Sequence, residues 1–118
     1  MSGSFELREY TDAGRSPFAE WFDKLDAVTT ARLDRYLRRL EAGNFGAAKP
    51  LREGVFELRL DFGPGWRVYF GREGRTIIIL LGGGSKRQQD ADIAAAVVRW
   101  QRYKQTERKT QHGTDTGI

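Results

Sequence analysis

The sequence contains no cysteine, and its 118 residues include one histidine, His112. The absence of cysteine excludes disulfides, thiolate metal sites and cysteine nucleophiles. With one histidine near the end of the chain, we expect neither a two-histidine ribonuclease site nor a Ser–His–Asp triad. Acid–base chemistry would therefore use Glu, Lys, Arg or Tyr, and we expect neither a metal nor a cofactor.

Long hydrophobic runs are also missing. Apolar runs such as Ile77 to Leu81 are far shorter than the roughly 20 residues of a membrane-spanning helix. The first residues lack the basic-then-apolar pattern of a signal peptide. We therefore expect a cytoplasmic protein that does not associate with membranes.

Basic residues exceed acidic residues only in the second half of the chain. Residues 1–50 hold eight of each sign, whereas residues 51–118 hold twelve basic and eight acidic residues, and the net charge is +4. A basic half of a domain indicates an anionic partner, nucleic acid first. An excess of this size also occurs in proteins that bind no polyanion, so charge alone leaves both interpretations open.

Apolar periodicity predicts one domain over residues 1–105, with elements in the order β-α-α-β-β-β-α. The predicted strands are 4–10, 55–62, 66–70 and 76–81, and the predicted helices are 16–26, 29–43 and 85–104. The continuous apolar run 76–81 is typical of a central strand covered on both faces. The predicted fold class is α+β, an antiparallel sheet with helices packed on one face. Residues 106–118 are polar and aperiodic and predict a flexible tail.

Four polar side chains of the 55–70 hairpin are predicted to share one face of the sheet, because they alternate with apolar residues. They are Glu57, Arg59, Arg67 and Tyr69. A solvated outer face with cross-strand Glu–Arg pairs accounts for this pattern. A functional polar platform is the alternative interpretation.

A second polar feature is the segment Gly82-Gly83-Gly84-Ser85-Lys86-Arg87, predicted between the last strand and the last helix. Glycines permit close backbone approach, a helix N-terminus supplies free N–H groups, and Lys86 and Arg87 add positive charge. The segment is therefore a candidate phosphate site, although it lacks the spacing of a P-loop. A flexible turn is the alternative.

These residue types are sufficient for RNA cleavage without a metal, because RNA carries its own nucleophile, the 2′-hydroxyl. In this hypothesis Glu57 is the base, Arg59 and Arg67 clamp the phosphate, and Lys86 stabilises charge or acts as the acid. The predicted contacts to RNA or phosphate are Arg52, Tyr69 and Arg87.

Three segments carry a resemblance to a known family: Pro50–Arg59 (PLREGVFELR), Trp66–Phe70 (WRVYF) and Leu80–Lys86 (LLGGGSK). Together they resemble the RelE/ParE superfamily of type II toxins, in particular the HigB-like addiction-module killer proteins of the phage Gp49-like branch. The likeness extends over about residues 4–104. It implies a RelE-like fold and an mRNA interferase, often ribosome-dependent.

The resemblance also implies partners and catalytic positions. The partners are a cognate helix-turn-helix antitoxin, mRNA on the ribosome, and operator DNA through the antitoxin complex. The basic catalytic positions of the family fall on Arg59, Arg67 and Lys86, whereas Glu57 stands where some relatives carry a basic residue.

Two other functions remain open on the same fold. One is a ParE-like inhibitor of DNA gyrase that cleaves nothing. The other is a non-toxic module that acts only through its antitoxin and operator DNA. The presence of all three basic positions favours RNA cleavage over gyrase inhibition.

Overall fold

The computed structural model describes the backbone of residues 4–116 and the side chains of residues 4–107. Within this range the chain forms an α+β fold. Its elements are β1 (Glu6–Glu9), α1 (Pro17–Phe22), α2 (Ala27–Glu41), β2 (Ala48–Pro50), β3 (Val55–Leu60), β4 (Trp66–Glu73), β5 (Ile77–Ser85), a 3-10 turn (Lys86–Gln88) and α3 (Gln89–Thr116). The short strand β2 is an addition to the predicted order.

The strands form one mixed sheet in the order β1-β5-β4-β3-β2. Neighbours from β2 to β5 are antiparallel, but β1 is parallel to β5, with Glu6 opposite Ile77. The prediction of an antiparallel sheet is therefore wrong at β1. Side chains alternate with the same period in both kinds of strand, so the sequence pattern carried no information about direction.

The first two helices begin at side-chain caps. Ser16 Oγ accepts a hydrogen bond from the Ala19 N–H (3.0 Å) and Asp26 Oδ1 accepts one from the Thr29 N–H (2.8 Å). These bonds satisfy backbone donors that the first turn leaves free. The cap at Asp26 places the start of α2 two to three residues earlier than predicted.

Helices α1 and α2 cover one face of the sheet. The apolar stripes of the helices meet the alternating apolar residues of the strands, which confirms the face predicted for Phe56, Leu58 and Leu60. The buried residues of this layer are Phe18, Leu33, Leu37, Leu40, Leu58, Leu60, Val68, Phe70, Ile78 and Leu80.

Helix α3 covers the opposite face, so the prediction that the helices share one face is wrong. The buried residues of this second layer are Tyr10, Val55, Tyr69, Ile79, Leu81, Ala96 and Trp100. The physical reason is that β5 is apolar on both faces, and its second face requires a cover of its own. Trp100 lies directly on Gly71, where an added Cβ would be 2.6 Å from the indole ring.

Helix α3 continues to Thr116, so the predicted helix end near Lys104 is wrong. Residues such as Gln105 and Glu107 favour helix without adding to an apolar stripe. The backbone of residues 106–116, predicted as a flexible tail, is helical, and residues 117 and 118 lie outside the described range. None of the helices in residues 4–116 combines the length and the apolar character needed to cross a membrane.

Candidate functional site

Strand pairing aligns the polar residues of the sheet in two rows beneath the start of α3. The first row is Glu57, Tyr69 and Gly82, and the second is Arg59, Arg67 and Gly84. A register shift between β4 and β5 next to Tyr69 brings the glycines into these rows. The sheet therefore presents charged side chains on two strands and bare backbone on the third.

The glycine segment is part of β5, not a turn between strand and helix. An added Cβ on Gly82 would lie 2.7 Å from Nη1 of Arg99, and one on Gly84 would overlap the carboxylate of Asp92. These glycines therefore make room for polar side chains of α3. The predicted flexible turn is wrong, and the predicted phosphate loop lacks its turn geometry.

Glu57 is completely buried at the centre of this layer. Its Oε1 accepts a hydrogen bond from Arg59 Nε (2.8 Å), and its Oε2 accepts one from Gln89 Nε2 (2.6 Å). Arg67 Nε lies 3.9 Å from the same Oε2. The Glu57 carboxylate has no exposed surface, and its neighbours are two guanidinium groups and one amide. It is therefore placed to orient the two arginine side chains. Neither carboxylate oxygen of Glu57 is accessible to RNA, so the structure gives no support to the prediction that Glu57 takes a proton from RNA.

Three basic residues lie near the turn between β3 and β4. Arg59 and Arg67 lie opposite each other in the strand pairing. Both Arg67 and Lys86 approach the turn residue Gly65. A Cβ added to Gly65 would lie 3.6 Å from Arg67 Nη1 and 3.2 Å from Lys86 Cβ. The Lys86 N–H donates to the Gly65 carbonyl (2.8 Å), which fixes the start of the 3-10 turn here. We call Arg59, Arg67 and Lys86 the cationic corner.

The members of the cationic corner differ in exposure. The Lys86 residue is exposed and the Arg59 side chain is 42% exposed, whereas the Arg67 side chain is only 9% exposed. Arg67 Nη1 donates to the Trp66 carbonyl (3.1 Å), and its buried Nε has no hydrogen-bond partner. Arg59 and Lys86 can therefore meet a ligand directly, while Arg67 adds charge from below.

Tyr69 does not offer the surface that its predicted RNA contact requires. Its ring is fully buried under α3, and its hydroxyl has no hydrogen-bond partner. Burial raises the pKa of Tyr69 well above its ordinary range, and the negative charges of Glu57 and Asp92 raise it further. The side chain is a neutral part of the core, and a base cannot stack on it while α3 is in place.

The two remaining predicted contacts, Arg52 and Arg87, lie at different ends of the sheet. Arg87 is exposed in the 3-10 turn beside Lys86, so it extends the cationic corner. Arg52 is exposed in the turn before β3. Val55 and Arg59 are four positions apart on β3, a distance of roughly 13 Å along the strand. The structure therefore brings Arg87 to the corner and leaves Arg52 outside it.

Sequence reasoning missed Gln89 and Asp92. Gln89 opens α3 and holds Glu57, and Asp92 is half-buried beside Gly84. A signal for Asp92 was present: it lies four residues before Ala96 and eight before Trp100, which places it on the buried stripe of α3.

The side chains of residues 4–107 include no group of three or more His, Cys, Asp or Glu arranged to hold a metal ion. The cationic corner instead offers guanidinium and ammonium groups at the end of two strands. Such groups bind phosphate oxygens and stabilise negative charge that develops on them. The chemistry that the corner can perform is therefore electrostatic stabilisation and proton donation at a phosphate.

Asp92→Asn is expected to stabilise the protein at pH 7 but not at pH 3. Burial raises the pKa of Asp92, an effect that Arg99 opposes. With a raised folded-state pKa, the group contributes stability below its unfolded pKa of about 3.9 and loses it as pH rises through the folded value. The neutral amide avoids that loss, by roughly 0.5 kcal/mol after screening by solvent.

Urea denaturation at both pH values checks this prediction. The control variant is Asp90→Asn, which changes an exposed residue in the first turn of the same helix. Both carboxylates lie in the first turn and interact favourably with the helix N-terminus, but Asp90 is exposed and has no burial cost to relieve, so the control is expected to show no gain. An Asp92→Asn gain of the same size at pH 3 would contradict the assignment.

The fold and the corner define a small α+β domain, a mixed sheet between two helical layers with cations gathered at one end. The family model described as Phage derived protein Gp49-like (DUF891) matches residues 20–104. A Haemophilus influenzae (strain ATCC 51907 / DSM 11121 / KW20 / Rd) protein named "Uncharacterized protein" is 42% identical over 80 residues, which cover 67% of this chain and 81% of that protein. The chain belongs to the Gp49-like family, which is associated with RelE/toxin-like proteins.

Proposed function

We propose that this protein is a HigB-like member of the RelE/ParE superfamily, the toxin of a type II toxin–antitoxin pair, and that it cleaves mRNA in the cytoplasm. The observation that carries the proposal is the cationic corner, where Arg59 and Arg67 face each other across two strands and Lys86 joins them. Family membership supports the proposal, because the family is associated with toxin-like proteins.

In the proposed reaction the scissile phosphate lies against Arg59 and Lys86. The 2′-hydroxyl loses its proton to water and attacks phosphorus, so that the O2′–P bond forms as the P–O5′ bond breaks. The corner stabilises the added negative charge on the phosphate. Lys86 donates a proton to the departing 5′-oxygen, and the products are a 2′,3′-cyclic phosphate and a free 5′-hydroxyl.

The other proposed residues act around this centre. Glu57 is a positioning residue that holds Arg59 by hydrogen bond and Arg67 by charge. Arg87 lies beside Lys86, and we assign it a contact to a neighbouring phosphate. The proposed partners are mRNA on the ribosome, a helix-turn-helix antitoxin and, through the antitoxin, operator DNA. Their support is the family resemblance.

Induced expression in a bacterial host tests the proposal, with growth recorded and the 5′ ends of cellular messages mapped. Wild type is expected to arrest growth and produce new ends inside translated messages. Arg59→Ala and Lys86→Ala are expected to reduce cutting by roughly 100-fold, because each removes a charge that stabilises the transition state. Arg75→Ala removes one exposed positive charge at the opposite end of the sheet and is expected to cut like wild type.

Each other outcome points to a different function. Growth arrest with intact messages would reject RNA cleavage and favour gyrase inhibition, which a supercoiling assay measures. No arrest at all would favour the non-toxic module. Message cutting that survives both Arg59→Ala and Lys86→Ala would place the catalytic site away from the cationic corner.

A further inference from the structure

Two hollows lie side by side between α2 and the β2 edge of the sheet. Their volumes are about 540 Å³ and about 210 Å³, and both are lined by Tyr36, Gly46 and Ala47. Residues 46–48 carry no side chain larger than a methyl group, which leaves the space open. We call the combined depression the edge groove. Its larger hollow falls within the volume range of ligand sites in proteins.

The edge groove is predominantly basic and reaches the cationic corner. Arg39 lines the smaller hollow, and Lys49 and Arg59 line the larger one, which also contains one acidic residue, Asp61. Arg59 belongs to the cationic corner as well, so the groove is continuous with the proposed catalytic site. A polyanion held at the corner would therefore find further positive charge along this groove.

A row of planar side chains begins at the groove residues Arg39 and Tyr36 and continues beyond the groove lining to Phe62 and Arg32. The Arg39 guanidinium lies over the Tyr36 ring (4.9 Å to the centroid), and Tyr36 stacks on Phe62 with ring centroids 6.3 Å apart. The Arg32 guanidinium lies over the other aromatic ring, Phe62, at 3.9 Å. Aromatic rings and guanidinium planes are the surfaces on which unpaired nucleic acid bases stack.

We propose that the edge groove binds single-stranded RNA next to the scissile phosphate, with Tyr36 and Arg39 as a platform for a base and Lys49 as a phosphate contact. This inference rests on the proposed function, because that function identifies the phosphate at the corner. An acidic peptide would match the charges of the groove. It would have no use for the stacked planar groups, and these favour RNA.

Fluorescence anisotropy measures the binding directly. The probe is a 5′-fluorescein-labelled RNA of ten nucleotides, 2′-O-methylated throughout so that it lacks the nucleophile for cleavage. Tyr36→Leu is expected to weaken binding roughly tenfold through lost stacking, whereas Tyr36→Phe retains binding. Arg39→Ala and Lys49→Ala are each expected to weaken binding several-fold and to reduce the salt slope by about 0.7.

The matched control is Arg38→Ala. Arg38 directly precedes Arg39 in α2 and forms ion pairs with Asp34 and Glu41. It lines a separate hollow on the other side of the helix. It carries the same charge as Arg39, and its loss is expected to leave RNA binding almost unchanged. Equal losses in Arg38→Ala and Arg39→Ala would overturn the groove assignment. Unchanged binding by a folded Tyr36→Leu, with circular dichroism as the folding check, would also overturn it.

Parallel cleavage data separate this inference from the proposed function. If Arg59→Ala and Lys86→Ala lose message cutting but the groove variants bind RNA like wild type, the function stands and the groove inference fails. If wild type cuts no message while Tyr36→Leu and Arg39→Ala lose RNA binding, the groove stands and the cleavage proposal fails. Groove variants that keep RNA binding but escape neutralisation by a co-expressed antitoxin would assign the groove to a protein partner, which overturns the inference.

Discussion

Glu57→Ala is expected to lower the free energy of unfolding by roughly 3 to 5 kcal/mol, because it leaves a buried guanidinium without its carboxylate. Arg67 cannot turn to solvent, since its side chain is 9% exposed, and Gln89 loses the acceptor of its 2.6 Å hydrogen bond. Urea denaturation followed by circular dichroism measures the loss. Glu57→Gln keeps the shape and one acceptor, and we expect it to lose less.

The chain provides a control with the same spacing and almost the same geometry. Glu6 and Arg8 are also two residues apart on a strand, and their ion pair is 2.7 Å long, compared with 2.8 Å for Glu57 and Arg59. The difference is burial, since the Glu6 side chain is exposed. Exposed pairs contribute little to stability. Glu6→Ala should leave the denaturation midpoint nearly unchanged, and similar losses in the two variants would show that burial is not the cause.

Trp100→Ala is the second large change, with an expected loss of roughly 3 to 5 kcal/mol. The indole of Trp100 is buried between α3 and the sheet. Gly71 of β4 lies under its ring, and Gly54, in the turn before β3, lies beside its Nε1. On its outer side it stacks on Tyr103, with ring centroids 5.5 Å apart and planes within 6°. Thermal and urea unfolding measure the effect.

A double-mutant cycle with Gly71→Val checks that the loss arises at this contact. In wild type the valine would clash with the indole, because even a Cβ would lie 2.6 Å from the ring, and overpacking of this kind costs about 1 to 3 kcal/mol. In the Trp100→Ala background the same valine fills vacated space and should do less harm. Strict additivity of the two changes would rule out Gly71 as the receiving surface for Trp100.

Strand alternation was sufficient to predict the face that α1 and α2 cover. Phe56, Leu58 and Leu60 turn to that face as expected, because a one-residue slip would turn the charged residues towards α1 and α2 instead. The apolar run in β5 also indicated that both faces of this strand are covered. The apolar stripe of α3 shows that the helix is amphipathic but not which face it covers. Its position on the second face therefore emerged only from the structure.

The alternation of the strands indicated which basic residues share one face of the sheet, but it did not indicate that a helix covers that face. Strand pairing and the turn at Gly65 place Arg59, Arg67 and Lys86 at one end of the sheet. The sequence interpretation treated the polar face as open to solvent, and α3 covers much of it. Side chains of the same helix fill the space above Gly82 and Gly84. Local sequence cannot reveal this role, because Asp92 lies 8 positions after Gly84 and Arg99 lies 17 positions after Gly82.

The parallel pairing of β1 with β5 also determines when folding can finish. Glu6 pairs with Ile77, and Glu9 with Leu80, so the first strand made during synthesis cannot pair until the last strand has been made. The hairpins from β2 to β5 are local and can close first, whereas contacts between distant residues form slowly. A nascent chain on the ribosome therefore cannot complete the pairing of β1 until residue 80 has left the exit tunnel. Partial chains should be susceptible to proteolysis up to that length.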